Sequence, residues 1–222
     1  MSSESAVPRL DRRVRRRRET IEEILAVAVD VMTEQGAGGL SLGEVARRVG
    51  VRPPSLYVYF DSKNAIYDAV FERGYRELLQ EMQPWARLPE HDDELPSYVL
   101  QFGQAFVRWS VANPAYAQLM FWRPVPGYEP SASAYAAAVE LSTAARGVFA
   151  ALQNRGLLRA DIDVDEALRL WTVITTGVLS QQLSNAPGEP FETGTFTSTM
   201  PQLAAMFLSH LGPRPGPLPP LH

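Results

Sequence analysis

Arg52, Pro53, Pro54, Ser55, Tyr57, Tyr59 and Lys63 bring two cations, a hydroxyl and two phenol rings into one short stretch of chain. These groups suit recognition of a polyanion. Arg and Lys reach phosphates, while hydroxyls, guanidinium groups and aromatic side chains reach the edges and faces of bases. Catalysis has no comparable constellation. His91, His210 and His222 stand apart from any nucleophile or second ligand, so no catalytic residue, metal ligand or cofactor is expected. The acidic stretch 91–94 reads as a solvated linker rather than a cation site.

The elements that must position these groups are legible around them. Ser41 followed three positions later by Glu44 is a capping box, which predicts a helix from Leu42. Leu42, Val45, Ala46 and Val49 are spaced for one buried face. Gly50 can take the left-handed conformation that ends that helix, and Pro53-Pro54 suit the first turn of the next. Leu56 and Phe60, four apart, anchor the second helix inward, leaving Ser55, Tyr57 and Tyr59 to face out. Asp61 or Ser62 caps a further helix near Lys63. This is the pattern of a helix-turn-helix that docks in a major groove.

The segment resembles the DNA-binding domain of the tetracycline-repressor (TetR) family of bacterial transcription regulators. Ser41, Val45-Ala46, Val49-Gly50-Val51, Leu56-Tyr57, Tyr59-Phe60 and Ser62-Lys63 stand at that family's motif positions. Arg52, at a site usually held by a small cap residue, and the Pro53-Pro54 pair depart from it. The resemblance implies an all-α fold, with a three-helix helix-turn-helix domain followed by a larger helical domain for effector binding and dimerisation. It also implies a double-stranded DNA operator, a homodimer and a small-molecule effector as partners. The DNA-contacting residues are expected to be Arg52, Pro53, Pro54, Ser55, Tyr57, Tyr59, Lys63 and Ser41, joined by Arg16 and Arg17 of the preceding arginine run.

Net charge is −4 over 222 residues, which at first argues against a DNA binder. The distribution answers the objection. Up to Lys63 there are 11 basic and 9 acidic residues; beyond it the balance is −6. Seven arginines fall between Arg9 and Arg18, where such a run next to a helix-turn-helix adds phosphate contacts. With no cysteine in the chain, disulfides and thiolate metal sites are excluded. No apolar run approaches ~20 residues, so no transmembrane helix is expected. No apolar signal core precedes the arginines, and a cytoplasmic location is expected.

Four segments follow: a basic arm over 1–14, the helix-turn-helix domain over 15–63, a helical effector and dimerisation domain over 64–211, and a Pro-rich disordered tail over 212–222. The first helix spans 15–35, with Ile21, Ile24, Leu25, Ala28, Val31 and Met32 on one stripe. Downstream, helical periodicity recurs over 62–82, 95–112, a short element from Pro114, 132–153, 164–184 and 196–211; no period-2 strand pattern appears. The last two long helices carry more apolar surface than one small domain needs and are expected to form the dimer interface. An aromatic stripe at helical spacing can simply be core, but the resemblance implies an effector cavity in this domain, and Phe102, Phe106, Trp109, Tyr116, Met120, Phe121, Tyr135, Phe149, Trp171 and Thr175 are the residues expected to line it. The expected function is a ligand-released repressor. A ligand-independent or activating regulator of the same fold is the first alternative. A small-molecule binder or enzyme that has lost DNA reading is the second.

Overall fold

The structure, a computed structural model, describes residues 7–213, with side chains from residue 12 onward. The C-terminal stretch expected to be a disordered tail lies mostly outside the described residues. Among them there is no strand. The helices are α1 (Val7–Gln35), α2 (Leu42–Val49), α3 (Pro53–Leu56), α4 (Lys63–Met82), α5 (Leu95–Ala112), α6 (Pro114–Trp122), α7 (Ala132–Asn154), α8 (Val164–Asn185) and α9 (Met200–Leu211). None is long and apolar enough to cross a membrane.

The chain divides into two compact units. The first takes the residues up to Gly74 together with Pro114–Ala136; the second takes Tyr75–Asn113 and the residues from Ala137 on. This partition differs from the expected single boundary at residue 63. The first half of α4 and the whole of α6 belong with the helix-turn-helix.

In the first unit, α1 packs on α2 and α6, and α2 on α3. Ile24, Ala28, Val31 and Met32 of α1 are buried with Val45, Ala46, Leu56, Ile66 and Val70, as the i, i+3, i+4 spacing requires. Polar ties complete the core. The Tyr67 hydroxyl donates to Ala37 O at 3.0 Å, and the Tyr128 hydroxyl donates to Asp68 Oδ1 at 2.9 Å. Burial and the Asp68 carboxylate push the Tyr128 phenol well above its usual range. Gly74 lets α6 approach α4 closely. A Cβ there would lie 2.7 Å from both Met120 Sδ and Tyr116 Cδ1.

The second unit is organised by rings. Tyr98 stacks on Phe102 with centroids 6.3 Å apart. Phe102 meets Phe149 edge-on at 6.3 Å. Phe149 meets Phe207 at 6.1 Å, and Phe207 meets Trp171 at 4.9 Å. The row joins α5, α7, α9 and α8 into one core. Gln182, fully buried, satisfies the loop beside it: Nε2 donates to Ala186 O at 2.7 Å, while Oε1 accepts from Phe196 N and Thr197 N at 3.1 and 3.2 Å. Arg155 donates to Glu90 O at 2.9 Å and Asp92 Oδ1 at 2.8 Å. Part of the acidic linker is thereby ion-paired rather than merely solvated.

Gly103 on α5 is where the Trp171 indole lies against the helix backbone. An added Cβ would stand 2.4 Å from Trp171 Cζ2 and 3.1 Å from Met200 Cε. The indole is buried and planar, with no flexible end to give way. Gly103→Val is therefore expected to destabilise the fold by about 3 kcal/mol through overpacking. Gly147, also helical, has nothing within 4 Å of the corresponding position, so Gly147→Ala should gain up to about 1 kcal/mol from helix propensity. Urea unfolding of the two variants checks both signs.

Candidate nucleic-acid interface

Local chemistry fixes the turn between α2 and α3. Ser41 Oγ accepts from Glu44 N at 3.5 Å, a long N-cap bond. At the other end Gly50 adopts φ 79°, ψ 24°. Gly50 N donates to Arg47 O at 3.3 Å, and Val51 N donates to Ala46 O at 2.9 Å. These two bonds form the Schellman closure, which satisfies the last carbonyls of α2 and sets the direction in which the chain leaves it.

The Glu44 side chain departs from the capping-box expectation. Its carboxylate takes Arg47 Nε at 2.8 Å and Arg48 Nε at 2.6 Å in place of the Ser41 amide. Arg48 also grips Glu34 of α1 with both terminal nitrogens, at 2.8 and 2.6 Å. The guanidinium groups, Arg47 foremost and then Arg48, hold the Glu44 carboxyl down to about 2. The ladder of acid, base, acid and base therefore keeps its charges at neutral pH and clamps α2 to α1.

α3 is a single α-helical turn opened by Arg52 in extended conformation (φ −78°, ψ 145°), with no side-chain cap and prolines at its first positions. Turn bonds carry it on: Tyr59 N and Phe60 N both donate to Leu56 O at 2.9 Å. The expected helix through residue 60 is thus shorter and more irregular. Leu56 and Phe60 are buried as anchors. Arg52, Pro53 and Pro54 are exposed, and Ser55 is half-buried. Tyr57 is 53% exposed.

Tyr59 is turned aside. It is half-buried, with the Arg17 guanidinium 5.3 Å from its ring centroid. Lys63 opens α4, its Nζ 5.5 Å from the Tyr67 centroid, while Ser62 Oγ caps that helix by accepting from Ala65 N at 3.1 Å. Ser41 and Arg16 are exposed. The arginine run is no separate arm from Val7 onward; it continues α1.

Val58, not among the expected contacts, stands out further than Tyr57 at 68% exposure. The signal was present. At about 100° per helical residue, position 58 lies roughly opposite the buried Leu56. An exposed apolar side chain on such a face fits the methyl group of thymine.

The candidates for an effector cavity divide between the units. Tyr116, Met120, Phe121 and Tyr135 belong to the first. Tyr116 and Met120 pack over Gly74, and Tyr135 stacks on Phe71 at 6.4 Å. Phe102, Phe106, Trp109, Phe149, Trp171 and Thr175 belong to the second. There Phe102, Phe149 and Trp171 are core, and Thr175 is satisfied by donating to Trp171 O at 2.9 Å. Helical periodicity marks each of these faces as buried without saying in which unit it is buried. A separate apolar groove of about 310 Å³ opens on the second unit beside Val173, Gly177, Gln181, Phe196 and Leu203. None of the ten lines it.

A helix-turn-helix head on an all-helical chain is a class of architecture with many solved members. A structure of PfmR, a TetR family transcriptional regulator from Thermus thermophilus, superposes with a TM-score of 0.65 at 18% identity, covering 84% of this chain and 97% of that one. FadR from Bacillus subtilis, solved in complex with stearoyl-CoA, gives 0.65 at 12% identity over 86% and 98%. Residues 24–70 match the model for bacterial regulatory proteins of the tetR family, and residues 99–200 match that for the tetracyclin repressor-like C-terminal domain. The chain belongs to the TetR family. The HTH-type transcriptional regulator Rv1816 of Mycobacterium tuberculosis is 32% identical over 120 residues, 52% of this chain and 51% of that protein. The chain thus spans about half the length of such curated relatives.

Proposed function

We propose that this protein is a sequence-specific regulator that binds duplex DNA as a homodimer and represses transcription until a small apolar or aromatic ligand releases it. The observation that carries the reading is the exposed face formed by Arg52, Tyr57 and Val58, on a turn whose anchors Leu56 and Phe60 are buried and whose approach is set by Gly50. A face that carries so little of the core has its chemistry available for an external partner. The operator contacts are Arg52, Pro53, Pro54, Ser55, Tyr57, Val58 and Lys63, with Ser41 and Arg16 toward the phosphates. The regulator acts in the cytoplasm and has no catalytic role of its own. The ligand-release part draws on FadR, whose complex with stearoyl-CoA sets a precedent for an apolar effector in this fold. The close ring packing of Phe102, Phe149, Phe207 and Trp171 favours the second reading, a ligand-independent regulator.

The test begins by selecting duplexes from a random library with the full chain. Enrichment of a two-fold symmetric sequence, bound with an affinity that falls steeply with salt, is the expected result. Acyl-CoA thioesters and aromatic compounds are then titrated onto the complex. Release at concentrations that also quench tryptophan fluorescence supports the inducible repressor, and indifference to the whole panel supports the ligand-independent regulator. A chain that enriches no sequence defeats both readings.

A further inference from the structure

Arg17 belongs to the arginine run but does not behave as a free cation. Its Nη1 donates to Val58 O at 3.0 Å, and its guanidinium lies over the Tyr59 ring, 5.3 Å from the centroid. Both contacts fall on consecutive residues at the far end of the reading turn. That end needs support. α3 has one α-helical turn and no side-chain cap at its start. So short a helix is not stable on its own, and the turn that continues it to Phe60 is irregular. Val58 O lies two residues past the end of α3, in the irregular turn that leads to Phe60, and Arg17 supplies it with a charged donor from α1. The stacked ring adds a cation–π contact. Arg15, in the same run, is engaged with Glu19 at 3.5 Å.

We infer that Arg17 is a positioning residue. It caps the reading turn from α1 and so fixes the aim of Tyr57 and Val58, rather than serving as a phosphate contact. The inference rests on the proposal that this face reads DNA. Losing the cap leaves Leu56 and Phe60 buried, so the head stays folded while the segment between them loosens. Phosphate contact and positioning have different signatures. A phosphate contact releases counterions and weakens binding to any duplex. A positioning contact carries no such salt term and weakens only the binding that depends on side-chain aim.

The experiment compares Arg17→Ala, Arg17→Lys and Arg16→Ala with the parent chain. The probes are a duplex selected by the parent from a random library and a scrambled duplex of equal length, over a salt series. Arg17→Ala should lose about tenfold in affinity per protomer on the selected duplex, little on the scrambled one, and keep the parent salt slope. Arg17→Lys keeps the charge but not the planar fork, and should remain defective. Arg16→Ala should lose affinity on both duplexes, with a slope flatter by about 0.9 per protomer. Without DNA, hydrogen exchange at the amides of residues 57–60 should quicken in Arg17→Ala, with unchanged protection in α1 and α4.

Equal losses on both duplexes with a flattened slope would make Arg17 a phosphate contact, and full rescue by lysine would reduce its role to charge. Unchanged exchange at residues 57–60 likewise overturns the inference alone. A parent chain that selects no sequence overturns the DNA reading and this inference with it.

Discussion

Tyr57→Ala should abolish most sequence-specific DNA binding and leave the protein's stability where it was. The two halves of that result come from one observation. Tyr57 is 53% exposed although its neighbour Leu56 is buried to 1%, so truncation removes little packing, and surface changes of this kind stay within about 0.5 kcal/mol. The hydroxyl and ring are then available to base edges or to the sugar-phosphate wall of a major groove. A well-placed base contact contributes about 1–3 kcal/mol of discrimination. In a two-fold complex it is lost twice, which amounts to a fall of about thirtyfold to twenty-thousandfold in operator affinity. Binding to random duplex should change much less. Fluorescence anisotropy with a duplex selected by the parent chain measures the first, and thermal unfolding the second. If Tyr57→Ala keeps parental affinity for that duplex, the face carrying Tyr57 and Val58 is not the one that reads.

How much of this could be seen beforehand depended on whether a feature left a periodic trace. The α2 helix, its glycine stop and the inward pair Leu56 and Phe60 did, because capping, left-handed backbone and i, i+4 burial are each tied to residue type at fixed spacing. Helix α1 was expected from residue 15, where apolar residues follow, yet it begins at Val7. Arginine is a good helix former, but Val7, Leu10 and Val14 are the only apolar residues besides Pro8 in that stretch, too sparse a stripe to mark the helix start by period. Glu44 was read as half of a capping box because its spacing from Ser41 fits; the competing cations Arg47 and Arg48 lie one turn further on and take the carboxylate. The aromatic residues show the firmest limit. Tyr116 and Trp171 both sit on buried helical faces, and only the close approaches allowed by Gly74 and Gly103 reveal which helix each one packs on. Such approaches are three-dimensional facts about glycines whose sequence surroundings are ordinary.

The same helical stripes that build the second unit leave one side uncovered. On α8, Leu170, Val173, Gly177 and Gln181 follow helical spacing; Val173 is 68% exposed, and a Cβ at Gly177 would meet nothing within 4 Å. On α9, Met206 is 67% exposed and lies one turn beyond Leu203, which borders the apolar groove. A second copy covering these side chains is the proposed dimer contact. Two-fold symmetry makes such a patch meet itself, so each substitution counts twice. Val173→Asp would then bury two carboxylates near each other without partners, at a cost of several kcal/mol per ion. The variant is expected to sediment as a folded monomer at micromolar concentration. Its operator affinity should fall by about a thousandfold or more, since two reading heads set about 34 Å apart are replaced by one. Val139→Asp is the matched control, because Val139 is 52% exposed on a different helix, α7, and does not line the groove. It should stay dimeric and bind as the parent does. A Val173→Asp protein that remains a dimer, or a Val139→Asp protein that dissociates, would move the interface off α8 and α9.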